Sequence, residues 1–213
     1  FLRVITDLRR GDERESMRMH GLINRTIQQF VCDTYGVPVW EDICARIGLE
    51  FTDFEAMLSY EKSYTSDLLT AMADVVGRPR ASMMEDLGTY LVTAPGFDAA
   101  RRLLRFGGVN FVDFLHSLDD LPDRVRLAVS DLYLPALELH SHADNRFSLR
   151  CMADISGYGH VMMGILRVMA DDYGALAWLD HAGGSAGVET ISISLVAADF
   201  AEGRHFDLGA RAG

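Results

Sequence analysis

The chain has 213 residues, with 31 acidic and 20 basic side chains and a formal net charge of −11. Its composition, 49% hydrophobic and 24% charged, is typical of a folded globular domain and excludes a disordered chain. No apolar run approaches the ~20 residues that a membrane helix needs, so no membrane contact is expected. The acidic balance, without a Lys/Arg-rich block, excludes a nucleic-acid surface. Three widely spaced cysteines predict reduced thiols and a cytoplasmic protein.

The first half of the sequence predicts helices. Ile23, Ile27 and Val31 repeat at a spacing of four residues, and Gly36 follows them as an end signal. The same period, together with cap residues and Gly or Pro stops, predicts further helices. They cover 40–47, 65–76 with Thr65 or Ser66 as the cap, 82–91 with Ser82 and Glu85 as a capping box, 98–105, and 110–118 with Asn110 as the cap.

The second half changes to the two-residue period of strands. We expect a hairpin of strands at about 137–140 and 147–151 around a turn at 142–145, then a helix over 158–173. Two more strands, 175–180 and 188–196, are expected around a Gly-rich turn at 183–185. Helices followed by strand, strand, helix, strand and strand predict an α+β fold: an N-terminal helical subdomain packed on a C-terminal antiparallel sheet subdomain.

No motif for catalysis is present. The sequence lacks a P-loop, a dinucleotide-binding glycine pattern after a strand, HExxH and GxSxG. His140 and His142 share one face of a predicted strand and would hold a metal if a third ligand joined them, but a polar hairpin end is the simpler interpretation. Nothing assembles a nucleophile, a base and an orienting group, so the chain is not expected to be an enzyme.

Four segments resemble one known family. They are MHGLIN at 19–24, DTYGVPVWEDI at 33–43, FLHSLDDL at 114–121, and GYGHVMMGIL at 157–166. In this order and at this spacing they resemble the H-NOX family, the haem nitric oxide/oxygen-binding domains that include the haem domain of soluble guanylate cyclase. Pro135 stands where that family keeps a proline against the haem face.

The resemblance implies an organisation and a function. It implies an H-NOX-like domain over 19–207, helical to about residue 131 and α+β from about 132, with residues 1–18 as an upstream extension and 208–213 as a tail. It also implies a haem-based nitric oxide sensor of the bacterial, cytoplasmic kind, which regulates a separate signalling protein such as a histidine kinase or a diguanylate cyclase.

The sequence departs from the family at the haem-binding positions. The axial histidine that closes the family's L-D-x-L-H segment is replaced by Pro122, which offers no lone pair to iron. Counted back without a gap from Gly157, the propionate-binding Y-x-S-x-R positions hold Cys151, Ala153 and Ile155. A gapped alignment would instead bring in Ser148 and Arg150, although shifting Arg150 by five positions along a strand would reverse its face.

Other residues are candidates for the pocket by family position. His20 in the opening segment and His116 are the candidate iron ligands, and His160 lies beside the pocket-lining position 161. On a continuous helix, His116 would point roughly 240° away from residue 122. Val161 stands where oxygen-binding members place a distal tyrosine, so an iron site here would prefer nitric oxide or carbon monoxide to oxygen.

Two functions follow from these observations. The first is a haem or nitric oxide sensor with a replaced axial ligand. The alternative is a haem-free member of the same fold, which acts as a protein-interaction module or binds another apolar ligand.

Overall fold

The computed structural model describes residues 18–204. Residues 1–17 of the predicted extension and residues 205–213, which include the predicted tail, lie outside the described residues. The chain divides into two compact units, the first ending at Arg80 and the second beginning at Ala81. The change from helices to strands lies farther along, between Ala128 and Ala136. The domain bounds implied by the resemblance stay a prediction.

From residue 18 onward, the first unit is built from three helices and a short two-stranded sheet. Strands β1 and β2 pair antiparallel, with Met19 opposite Tyr60. The elements in chain order are β1 (Arg18–His20), α1 (Gly21–Tyr35), α2 (Val37–Arg46), β2 (Ser59–Glu61) and α3 (Lys62–Val76).

Helix α1 confirms the predicted four-residue stripe, because Ile27 and Val31 are buried and the helix ends at Gly36, which has a φ of 93°. Helix α3 begins earlier than predicted, with Glu61 as its N-cap. Thr65 is therefore not a cap; it is buried, and its hydroxyl donates to Asn24 Oδ1 at 2.7 Å. A buried hydroxyl partner outweighed the local cap signal at this position.

As far as residue 204, the second unit contains five helices and a four-stranded sheet. Its helices are α4 (Arg80–Thr93, starting at the unit boundary), α5 (Asp98–Arg105), α6 (Phe111–His116), α7 (Leu121–Ala128) and α8 (Tyr158–Tyr173). Its strands are β3 (Ala136–Ser141), β4 (Arg146–Met152), β5 (Leu176–Ser185) and β6 (Val188–Ala197).

The four strands form an antiparallel sheet in the order β3-β4-β6-β5. Buried and more exposed residues alternate along β4 and along the middle of β6, so the sheet has one buried face and one more exposed face. Phe147, Leu149 and Cys151 are buried on β4, as are Ile191 and Ile193 on β6, and α8 packs on the sheet. The intervening residues form a more exposed, polar face. The helices-then-sheet order confirms the predicted α+β class.

Three boundaries in this unit differ from the predictions. Helix α4 begins at Arg80, so Ser82 lies inside the helix and does not cap it. Asn110 does cap α6, its side chain accepting from the Asp113 N–H at 2.9 Å, but α6 ends at His116 and a separate α7 follows. The β5–β6 turn is Ala186–Gly187, both with positive φ, because β5 continues through a bulge to Ser185.

Within residues 18–204, no helix is both long enough and apolar enough to span a bilayer.

Candidate functional site

The position that the resemblance assigns to the axial ligand lies at the start of a helix. Pro122 is in the first turn of α7, directly after Leu121. Proline suits this place because its nitrogen carries no hydrogen and its fixed φ matches a helix start. The tertiary amide and saturated ring leave no atom that binds iron. The sequence at this position therefore starts a helix and supplies no ligand.

His116 and Pro122 do not share one helix. The estimate of its direction assumed one helix from His116 to Pro122, and that assumption is wrong because α6 ends at His116. The chain turns through Ser117–Asp120 before α7 begins. His116 is exposed, and its ring stands edge-on to Phe147 with 6.0 Å between the ring centroids.

His20 is buried and already has a structural role in the first unit. It is the N-cap of α1, and its Nδ1 accepts the Leu22 N–H at 3.1 Å. A neutral imidazole that accepts at Nδ1 carries its proton on Nε2, so neither nitrogen presents a lone pair to iron. Coordination through Nε2 would require the other tautomer and the loss of the cap.

The positions that the resemblance assigns to binding of the haem propionates hold no suitable hydrogen-bond donors. Cys151 is fully buried on the inner face of β4, and burial raises the pKa of its thiol to about 12. The Ala153 N–H donates to the Gly187 carbonyl, and Ala153 and Ile155 have hydrocarbon side chains. A propionate needs hydroxyl and guanidinium donors, and this set offers neither.

Ser148 and Arg150, the gapped alternative, lie on the opposite face of β4 from the buried residues. Arg150 Nη1 donates to Glu138 Oε2 at 2.9 Å across the β3–β4 pair. The Ser148 hydroxyl and His142 Nε2 are 2.8 Å apart. Both side chains therefore have partners on the outer face of the sheet, away from its buried side.

Val161 and Pro135 occupy different environments. Val161 is buried on α8, and its carbonyl meets α4 so closely that a methyl group at Gly88 would collide with it. Gly164, one turn farther, would collide in the same way with the Glu85 carbonyl. The α4–α8 crossing thus depends on two glycines. Pro135 is half-buried in the segment just before β3.

A cluster of polar side chains that the sequence did not predict surrounds the first turn of α8. The Glu189 carboxylate accepts the Gly157 N–H at 2.5 Å and the Gly159 N–H at 2.9 Å. His181 Nε2 lies 3.1 Å from Glu189 Oε2, and the His160 ring stacks on His181 with 4.1 Å between centroids and 10° between planes. They line a cleft of about 370 Å³.

Sequence reasoning singled out only His160 from this cluster. The predicted strand ends at Asp180, so the sequence pattern does not place His181 on β5. The bulge between His181 and Gly184 brings Glu189 to His181, and no local pattern reveals that register shift. No group of three or more His, Cys, Asp or Glu side chains in residues 18–204 has the geometry of a metal site.

Comparison with protein families identifies residues 20–176 as matching the haem-NO-binding family, HNOB. Soluble guanylate cyclase 89Da of Drosophila melanogaster is 23% identical over 177 residues, which are 79% of this chain and 26% of the relative. Soluble guanylate cyclase gcy-35 of Caenorhabditis elegans is 28% identical over 155 residues, 71% of this chain and 22% of the relative. The chain thus spans about a quarter of the curated relatives it matches.

Solved structures share the fold. The unliganded Fe(II) H-NOX protein A71G from K. algicida superposes with a TM-score of 0.73 at 16% identity, covering 83% of this chain and 96% of that one. The Fe(II)NO H-NOX protein from S. oneidensis gives a TM-score of 0.66 at 18% identity, covering 83% and 99%.

Proposed function

Because the chain belongs to the haem-NO-binding family, whose domains are sensors and not enzymes, we propose that it is a cytoplasmic signalling domain that regulates a separate partner protein without holding haem in the family manner. This is the haem-free alternative that the sequence leaves open. The proposal assigns the domain's output to contact with another protein.

Pro122 is the observation that carries the proposal. The position aligned with the axial ligand starts α7, and proline has no group that binds iron there. The two alternative ligands are no better placed, since His116 is exposed at the end of α6 and His20 uses Nδ1 to cap α1. Iron would need a ligand from elsewhere in the chain or from solution.

The propionate positions give independent support. Haem carries two carboxylates that the family holds with hydroxyls and a guanidinium, and Cys151, Ala153 and Ile155 provide none of these groups. A buried neutral thiol cannot compensate for a propionate charge. The axial ligand and the propionate-binding groups are both missing, and together these two losses support a domain that does not hold haem in the family manner.

The partner class follows from the resemblance and from the matched relatives. Those relatives are named as guanylate cyclases, and the matched part is about a quarter of each. By this likeness we propose a partner among signalling enzymes, a histidine kinase or a diguanylate cyclase, that reads a shape change in the domain.

Absorption spectroscopy tests the proposal. The chain is expressed with a haem supply, purified without added haem, reduced and exposed to nitric oxide, with the S. oneidensis H-NOX protein as a positive control. We expect no Soret band in this chain and a band in the control. A Soret band that shifts with nitric oxide would instead support the sensor with a replaced ligand, and His20→Ala and His116→Ala would then identify that ligand.

A further inference from the structure

Strand β5 forms a free edge of the four-stranded sheet. Within residues 18–204 its strand neighbour is β6 on one side, and no strand lies on the other side. Register shifts interrupt the β5–β6 ladder between Leu176 and Ala177 and between His181 and Gly184, which leaves a regular run over 177–181. An edge strand directs a row of backbone N–H and C=O groups away from its neighbour, so this run can pair with a further strand.

Trp178 and Asp180 lie on the outer face of this edge. They pair with Ser194 and Ser192, which alternate with the buried residues of β6 and therefore belong to the more exposed face of the sheet. Trp178 is 70% exposed, and Asp180 is exposed beside it. A tryptophan this exposed on an open sheet edge is a contact point for another chain.

Three more apolar side chains adjoin Trp178. Leu176, two residues earlier, is 39% exposed, and Val196, at the bulge across from the start of β5, is 67% exposed. Phe200 is 64% exposed, and its N–H donates to the Gly174 carbonyl at 2.8 Å, just before β5. These four side chains, which we call the β5 patch, gather at one corner of the sheet. Exposed apolar clusters of this kind mark interaction sites.

Acidic side chains flank the β5 patch. Asp180 follows Trp178 on the outer face, Asp199 precedes Phe200, and Glu202 follows it. All three are exposed, and none of them forms an ion pair with another residue in the described range 18–204. A second copy of this chain, whose net charge is −11, would bring like charges together at this corner. Charge complementarity therefore favours a basic partner.

We infer that the free edge of β5 and the β5 patch bind an extended basic segment of a partner protein. The segment adds as a strand beside residues 177–181, with an apolar side chain against Trp178 and a Lys or Arg side chain two residues away, against Asp180. Residues two apart on a strand share one face, so a single segment satisfies both contacts. Main-chain hydrogen bonds supply affinity in this binding mode, and the side chains supply specificity.

The inference rests on the proposed function, because it names the kind of segment that the partner offers. It concerns the second unit alone. A suitable probe is the peptide acetyl-TRVFVRT-amide. Its sequence reads the same in both directions, so parallel and antiparallel strands both carry arginine two residues from phenylalanine. The control peptide acetyl-TEVFVET-amide keeps the apolar content and reverses the charge.

Amide NMR of the full chain measures binding. We expect the arginine peptide to shift the amides of residues 177–181 and the Trp178 indole N–H in a saturable way, with a Kd of about 1 mM or tighter. The glutamate peptide should bind about threefold more weakly or worse, because it faces Asp180 with a like charge. Equal binding of the two peptides, or no shift at this edge, would overturn the inference.

Two variants of the chain test the side-chain contacts. Trp178→Ala should weaken binding of the arginine peptide about tenfold, whereas Phe106→Ala, which removes an exposed aromatic ring at the end of α5, should not change it. Asp180→Lys should weaken the arginine peptide and strengthen the glutamate peptide. Asp131→Lys, at an exposed position before β3, makes the same change in net charge and should do neither. Equal effects of either variant and its control would overturn the inference.

Backbone methylation tests strand addition on the unmodified chain. One form of the arginine peptide is N-methylated at both valines and another at phenylalanine. Because a strand donates to its neighbour from alternate residues, one form should lose binding and the other should keep it. Binding by both forms would overturn the inference.

Other occupants give distinct results in the same spectra. Shifts of these amides with protein concentration alone would assign the surface to a second copy. Nuclear Overhauser contacts between the Trp178 indole and residues 205–213 would assign it to the chain's own end. Either result would overturn the inference. The absorption spectrum decides the proposed function separately, because haem does not enter these titrations.

Discussion

Arg124 Nη2 donates to the Ser117 carbonyl oxygen at 2.8 Å and thereby closes the turn between α6 and α7. The same guanidinium donates through Nη1 to the Leu103 carbonyl at 3.3 Å. One side chain thus fixes the break in the helix directly beside Pro122 and ties it to α5. The segment 114–121, which resembles the family, therefore breaks after α6, and a new helix begins at Leu121, next to Pro122.

Arg124→Ala should lower the free energy of unfolding by about 1–3 kcal/mol, because it leaves two part-buried carbonyl groups without their donor. Arg126→Ala is the control on the same helix, since Arg126 is exposed, and its ion pair with Asp123 and its contact with the Tyr133 ring both lie at the surface. It should change stability by less than about 1 kcal/mol. Urea unfolding measures both, and equal effects would show that Arg124 does not hold the turn.

Asp172 is a second place where one charge organises several elements. Its side chain is 1% exposed, and Arg101 donates to both carboxylate oxygens at 2.8 Å and 2.7 Å. Asp172→Ala should cost about 3–5 kcal/mol because it removes a buried carboxylate that pairs with a part-buried guanidinium. Asp171→Ala, at the exposed neighbouring position, should fall within about 0.5 kcal/mol of the unmodified chain in the same thermal or urea measurement.

Gly164→Ala reverses the usual sign of a helix substitution. In an open helix the change from glycine to alanine stabilises by about 1 kcal/mol. Here the added methyl group meets the Glu85 carbonyl of α4, so we expect a loss of about 1–3 kcal/mol from overpacking. A gain in stability would mean that α4 and α8 do not cross at this glycine.

The Glu189 carboxylate predicts a loss of stability on acidification. Burial acts to raise the pKa of Glu189, but donation from the Gly157 N–H, His181 and the Gly159 N–H outweighs it and leaves the pKa lowered. A depressed carboxyl pKa stabilises the native state above about pH 4.5, and this contribution is lost as the pH falls through the folded-state pKa.

Glu189→Gln should therefore flatten the fall in unfolding free energy below about pH 4.5. Glu202→Gln, at an exposed position after β6, is the control and should keep the pH dependence of the unmodified chain. Chemical unfolding at a series of pH values checks both variants. A Glu189→Gln profile parallel to that of the unmodified chain would contradict the assigned role of the carboxylate.

The sequence predicted elements well where signals were local and periodic. Helices α5 and α8 and the cap at Asn110 agree with it, because stripe, cap and stop signals coincide there. It failed where distant contacts decide. Thr65 bonds to Asn24, and β5 continues through a bulge that brings His181 to Glu189. Neither contact leaves a mark in the neighbouring sequence.

In the candidate site too, local chemistry could be predicted from the sequence, whereas features that depend on distant contacts could not. Proline cannot bind iron whatever its conformation, so the absence of a ligand at Pro122 could be predicted from the sequence alone. The break between α6 and α7 depends on Arg124 reaching Ser117 and Leu103, which periodicity does not encode. The angular relation between His116 and Pro122, which assumed one continuous helix, loses its basis for that reason.

The haem-to-protein ratio of the purified chain tests the central claim most directly. Haem extracted from protein produced with a haem supply is quantified against the protein, in parallel with the K. algicida H-NOX protein. The account predicts a negligible ratio for this chain and a nearly stoichiometric one for the control. A nearly stoichiometric ratio in both would contradict it and would require an axial ligand other than residue 122.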